Sequence, residues 1–156
     1  TELLLFGARN EPGDIVVAVR GPTRNVQVRQ KERIAGMWMY LRKAKYDALP
    51  QYFAIASTVP FERLNSNGQL DKLDINPMQM IRSHAFPSTP EVFNEAVMRL
   101  KQRSRLYMAE PAPITFFGET LFKTRIAFPD TMPRGTYVAE IYLIQRGQLI
   151  ASQSIP

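Results

Sequence analysis

The chain has no cysteine, one histidine and one tryptophan among its 156 residues. The first absence removes disulfides, zinc–thiolate sites and thiol nucleophiles together. It does not fix the compartment, since a protein can be exported without any cysteine. With His84 as the lone imidazole, an ordinary zinc centre also has no ligand set. Nowhere is there an apolar run of roughly 18 residues, the length a membrane-crossing helix requires. Phosphate-cradling glycine loops of the Gly-x-x-x-x-Gly-Lys type are missing, as is a Gly-x-Ser-x-Gly nucleophile elbow. No catalytic residue, metal or cofactor is expected, and the chain is read as a non-enzyme. Glycine is sparse at 8 while proline reaches 12, a balance that suits a corner-rich sandwich better than a helical bundle.

What is present is an ordinary globular composition, with 45% hydrophobic and 22% charged residues. The length suits one domain, 1–156, with a core that needs no staples. The net charge is +6, and the cations are uneven: residues 20–45 hold eight of the 20 Lys and Arg against one acid, Glu32. A second group, Arg99, Lys101, Arg103 and Arg105, falls within seven residues. Such charge favours anionic surfaces as partners and says nothing of fold.

The last third is the most legible. Leu121 to Phe128 alternates, placing Phe122, Thr124, Ile126 and Phe128 on one side. Tyr137, Ala139, Ile141 and Leu143 share a face of a second strand, and Arg146-Gly147 turns into a third run, Leu149 to Ile155. Between the first two stands Pro133-Arg134-Gly135-Thr136-Tyr137. A Pro-x-Gly-x-Tyr corner before a long core strand is a device of immunoglobulin-like sandwiches, the hydroxyl tying back to nearby backbone.

Earlier strands are expected at Leu3–Ala8, Ile15–Val19, Val26–Arg33, Gly36–Tyr40 and Tyr52–Thr58. The unbroken apolar run Ile15-Val16-Val17-Ala18-Val19 predicts a central strand buried on both faces. Arg42 to Lys45 reads as a basic connection. Ser88-Thr89-Pro90-Glu91 predicts a helix start with a hydroxyl cap. The helix, about 90–107, carries an apolar stripe of Val92, Phe93, Ala96, Val97, Leu100 and Tyr107. The expected architecture is mainly β: an immunoglobulin-like β-sandwich of about eight strands, interrupted by a helical insert at about 61–112.

Candidate sites are few. Ser83-His84 invites a hydrolase, but a triad needs a base held by an acid and reaching a hydroxyl, so His84 is expected to be structural. Asp71, Asp74 and Asn76 lack the glycine and the bidentate Glu of a calcium loop. Arg29, Lys31 and Arg33 form a basic ladder on one strand face, near Trp38 and Tyr40, and together with Trp38 they are the candidate binding residues. Nucleic acid is not the expected partner, because the helix cations flank both sides of the apolar stripe and form no single basic stripe. Trp38 with Met37, Met39 and Tyr40 could line a pocket, yet a strand Trp in a sandwich is expected in the core.

Several stretches together resemble a known family. These are Leu3-Leu4-Leu5-Phe6-Gly7-Ala8, Asp14 to Pro22, Arg29-Gln30-Lys31-Glu32-Arg33-Ile34-Ala35-Gly36-Met37-Trp38, Tyr52 to Thr58, Pro133 to Tyr137 and Gly147 to Gln153. They are similar to a family of putative transmembrane proteins of alphaproteobacteria, for which no catalytic residues are established. The resemblance implies a leader sequence, an extracytoplasmic domain and a C-terminal membrane helix beyond this chain. It also implies a place on the periplasmic side of the inner membrane and a role beside a transporter. The expected function is therefore non-catalytic binding or assembly with an envelope or membrane protein. A small anion or an anionic lipid is the alternative ligand, and a hydrolase using His84 the remoter one.

Overall fold

A computed structural model describes residues 2–64, 71–108 and 110–156. Nine strands are present among them: β1 Glu2–Ala8, β2 Asp14–Arg20, β3 Thr23–Ile34, β4 Met37–Pro50, β5 Phe53–Ser57, β6 Ala112–Phe117, β7 Leu121–Ala127, β8 Val138–Gln145 and β9 Gln148–Ile155. The helices all fall between β5 and β6: α1 Phe61–Leu64, a 3-10 turn Asp71–Leu73, α2 Pro77–His84 and α3 Glu91–Arg103. Part of the expected insert, residues 65–70, lies outside the described residues.

Seven strands make one sheet in the order β1-β7-β6-β5-β2-β8-β9, and β3 pairs with β4 alone. The pairs are antiparallel except β5–β6, a short parallel contact of Ala56 with Ala112 and Ser57 with Pro113. There the sheet curls. Ile15, Val17, Val19, Tyr52, Ala54 and Leu143 from one wing share a core with Phe122 and Ile126 from the other, joined by Leu3, Leu5 and Phe116. The opposite face of β2, β5 and β8 offers Val16, Ala18, Phe53, Ile55, Tyr142 and Ile144. Met80 and Ile81 of α2, Phe93 and Val97 of α3, and Ala44 and Tyr46 of β4 cover it. β2 is thus buried on both faces, as its continuous apolar run requires, and its five central residues are all buried.

The chemistry of the ends decides several details. The Tyr137 hydroxyl donates to the Pro133 carbonyl, closing the corner expected from Pro-x-Gly-x-Tyr. Gly135 sits at φ +148°, and a Cβ there would press on the Pro22 ring at 2.8 Å. Arg146 (φ +51°) and Gly147 (φ +75°) make the two-residue turn from β8 to β9, the left-handed pair such hairpins prefer.

Three expectations need correction. The run Arg42 to Lys45 is no connection: β4 continues through it to Pro50, because Ala44 and Tyr46 point inward while Lys43 and Lys45 stay in solvent. Second, α3 ends at Arg103, and its N-cap, Pro90, makes no side-chain cap bond. The Thr89 hydroxyl donates instead to Phe86 O at 2.6 Å. The buried stripe of α3 is also rotated, to Phe93, Asn94 and Val97, leaving Val92 and Leu100 exposed. Asn94 turns inward because its Oδ1 accepts from the Tyr46 hydroxyl at 2.7 Å and its Nδ2 donates to Glu91 at 2.9 Å. Third, α2 and β6 were not anticipated. α2 begins with Asn76, whose side chain accepts from Met78 N and Gln79 N, followed by Pro77 in the first turn. That Asn-Pro pair is a standard start signal.

Candidate functional site

β3 and β4 form a long ribbon, and its two halves live in different surroundings. Ala35 at φ +50° and Gly36 at φ +84° turn the chain, so Ile34 pairs with Met37 and Arg33 with Trp38. Successive strand residues point to opposite faces. One face of the ribbon therefore carries Val26, Val28, Gln30, Glu32 and Ile34 against Tyr46, Ala44, Arg42, Met39 and Met37. The other carries Gln27, Arg29, Lys31 and Arg33 against Lys45, Lys43, Tyr40 and Trp38. A register skip between Gln30 and Lys31 passes over Leu41, keeping Tyr40 and Trp38 with the cations.

The base is held tightly. Val26, Val28, Ala44 and Tyr46 join the core beneath α2 and α3. Tyr46 bridges to Ala85, just past α2, and Phe86 N donates to Lys45 O at 3.0 Å. His84 belongs to this anchor. Its Nδ1 lies 2.9 Å from Asp47 O, a carbonyl that can only accept, so Nδ1 carries the proton. Ser83 does not meet His84; its hydroxyl donates to Asp74 Oδ2 at 2.9 Å and Met80 O at 2.8 Å. Burial, with the Glu91 carboxylate adding to it, pushes the Tyr46 hydroxyl up to about 12, so it stays a neutral donor to Asn94 at physiological pH. Asp74 is fixed from the other side, since its carbonyl and that of Leu73 accept from Arg20 at 3.2 and 2.9 Å. Among the described residues, no group of three acids or histidines is placed to hold a metal.

The tip is bare. Trp38 is 68% exposed, Met37 65% and Tyr40 57%, with Ile34 and Met39 at 43% each. The expectation of a core tryptophan is corrected: Trp38 lies beyond the helices, where none of the described elements covers it. The other predicted residues are brought together. Arg29 and Lys31 stand over the Tyr40 ring at 5.8 and 5.2 Å, within the range of cation–π attraction. Neither described ion pair, Arg20–Glu140 or Arg82–Glu91, uses a cation of the ribbon. Arg29, Tyr40, Arg42 and Lys43 line a shallow hollow of about 290 Å³.

Sequence reasoning found Arg29, Lys31 and Arg33 but missed that the opposite strand adds Lys43, across from Arg29, and Lys45, across from Gln27, to the same face. The signal was available in Ala35-Gly36, a two-residue turn that folds one basic strand against another. The helix cations play no part in this face. Arg99, Arg103 and Arg105 are exposed, while burial and the charge of Arg24 push the Lys101 ammonium below its ordinary value.

Among the described residues no helix is long and apolar enough to cross a membrane. A family described as Putative transmembrane protein (Alph_Pro_TM) matches residues 1–156. No curated protein and no solved structure matches the chain.

Proposed function

The chain belongs to this family of putative transmembrane proteins, and from that premise we propose that it is a non-catalytic binding or assembly domain working at the membrane. It faces the periplasm from an anchor outside these residues and serves an envelope protein, a transporter being the leading candidate. Its scaffold is an immunoglobulin-like sandwich, a reading supported by the Tyr137 corner and by the shared core of the two wings of the curled sheet. The contact surface is the outer half of the β3–β4 ribbon.

One observation carries this. The ribbon exposes Met37, Trp38 and Tyr40 at its tip beside a ladder of cations that no described acid neutralises. Large exposed apolar groups with cations between them mark interaction sites and have no use in packing. The non-catalytic reading is supported at His84, whose Nδ1 meets a backbone carbonyl while Ser83 is turned to Asp74.

The test is photo-crosslinking in the native envelope, with the reactive residue at position 31 or 38 of the full-length protein and at exposed position 125 as the comparison. Reproducible adducts, to protein or lipid, are expected from 31 and 38 and not from 125. Adducts from 125 alone, or none from any position, would overturn the assignment of the surface. The hollow lined by Arg29, Tyr40, Arg42 and Lys43 favours a second reading, a receptor for a small oxyanion. That reading predicts thermal stabilisation by millimolar phosphate or sulfate that is lost in Arg29→Gln.

A further inference from the structure

Taking the ribbon as the contact surface, as proposed above, we propose that its counterpart is the anionic surface of a lipid bilayer, into which the tip inserts. Three features favour a bilayer over a protein groove. The first is that the tip is apolar on both faces: Ile34, Met37 and Met39 on one, Trp38 and Tyr40 on the other. A groove clasps one face of a ribbon, whereas a membrane interface surrounds it. Second, Trp and Tyr are the side chains that settle at headgroup level, apolar body inward and polar edge outward.

The third feature is the order of the charges. Arg33 stands opposite Trp38, Lys31 opposite Tyr40 and Arg29 opposite Lys43, so the ladder retreats from the tip step by step. At about 3.4 Å per residue, Arg29 lies roughly 14 Å behind Arg33, whereas an interfacial element is buried by about 5–10 Å. The tip therefore enters, and Lys31, Arg29 and Lys43 remain among the headgroups, their stems lying along the ribbon. Depth is limited by the backbone. A two-stranded ribbon leaves unpaired N–H and C=O groups along both edges, which hydrocarbon does not tolerate. The device adsorbs and does not span.

Glu32 is the one acid in the tip half, opposite Met39 on the apolar face. It opposes the attraction, and its neutralisation strengthens it.

Trp38 is the only tryptophan in the sequence, so its emission reports the tip directly. The 156-residue chain is mixed with vesicles of phosphatidylglycerol and phosphatidylethanolamine, and separately with phosphatidylcholine alone. Expected are co-sedimentation with the anionic vesicles, a blue shift of Trp38 emission, and loss of both in high salt. The triple variant Arg29→Gln, Lys31→Gln, Arg33→Gln weakens association on the order of 100-fold, and Glu32→Gln strengthens it. Met37→Ser with Met39→Ser reduces the blue shift while the thermal unfolding curve stays in place. Absence of association with anionic vesicles would overturn the proposal, as would association with Trp38 emission unchanged, which is adsorption by charge alone. The reading of the contact surface survives such a result if positions 31 and 38 still crosslink to a protein in the envelope. It falls with the proposal if they crosslink to nothing.

Discussion

The two halves of the β3–β4 ribbon share one alternating backbone and one pair of strands, yet they meet opposite fates. At the base, Ala44 and Tyr46 are 5% and 1% exposed beneath α2 and α3. At the tip, Met37 and Trp38, about eight residues away on the same strand, lie open to water. Hydrophobicity does not separate them, since Trp38 is no less apolar than Tyr46. What differs is whether another element arrives to cover the face, and the helices that cover the base come from residues 77–103. An apolar side chain in a strand is thus a demand for a partner, and at the tip none of the described elements supplies one.

Three comparisons sharpen or break this contrast, in falling order of size. Phe53 is fully buried in the core that the ribbon base joins. Phe53→Ala should cost about 3–5 kcal/mol in urea unfolding, the usual loss for a core aromatic. Trp38→Ala should change stability by less than about 0.5 kcal/mol, as an exposed substitution does. Equal losses at the two positions would show that the tip is buried in solution and would break the comparison.

Tyr46→Phe is next. It leaves Asn94 Oδ1, on a buried residue, short of its donor, at a cost of about 1–3 kcal/mol. The comparable loss of a hydroxyl bond in Tyr137→Phe, at the half-exposed corner over Pro133, should be about 0.5–1.5 kcal/mol. Tyr46→Phe measuring below Tyr137→Phe would mean that the Tyr46–Asn94 link does not hold the base.

The smallest effect is pH-dependent. Hydrogen bonds from Arg82, then from Asn94, hold the Glu91 carboxyl below its ordinary value, and the Arg82–Glu91 pair joins α2 to α3 at 2.6 Å. A carboxylate lowered by folding stabilises fully above its unfolded pKa and loses that contribution as pH falls through its folded pKa. Glu91→Gln should therefore shift the urea midpoint slightly at neutral pH and by a vanishing amount in acid. A shift that grows on acidification contradicts the assignment.

How much of this was legible in the residues follows from which interactions are local. Strand alternation, the Tyr137 corner and the turn at Arg146-Gly147 all depend on neighbours in sequence and are readable in the residues themselves. The charged β4 segment was missed because long cations hid its alternation, although Ala44 and Tyr46 kept the period. α2 was missed despite Asn76-Pro77, since its short apolar set, Met80 and Ile81, looks like loop until a core stands beneath it. Of the candidate site, the ladder Arg29, Lys31 and Arg33 was readable, while Lys43 and Lys45 emerged only when the ribbon folded on Ala35-Gly36. The core assignment of Trp38 failed because burial belongs to the layer that covers a strand.

By itself, then, the sequence determined a mainly β chain without thiol chemistry, a doubly buried β2 and a basic strand, because composition and period-two alternation are local properties. Tertiary structure alone decided that the sheet curls at β5–β6 into a shared core, that α3 turns Asn94 inward to meet Tyr46, and that the ribbon tip stays uncovered. Each of these rests on contacts between segments tens of residues apart, whose pairing no local pattern encodes.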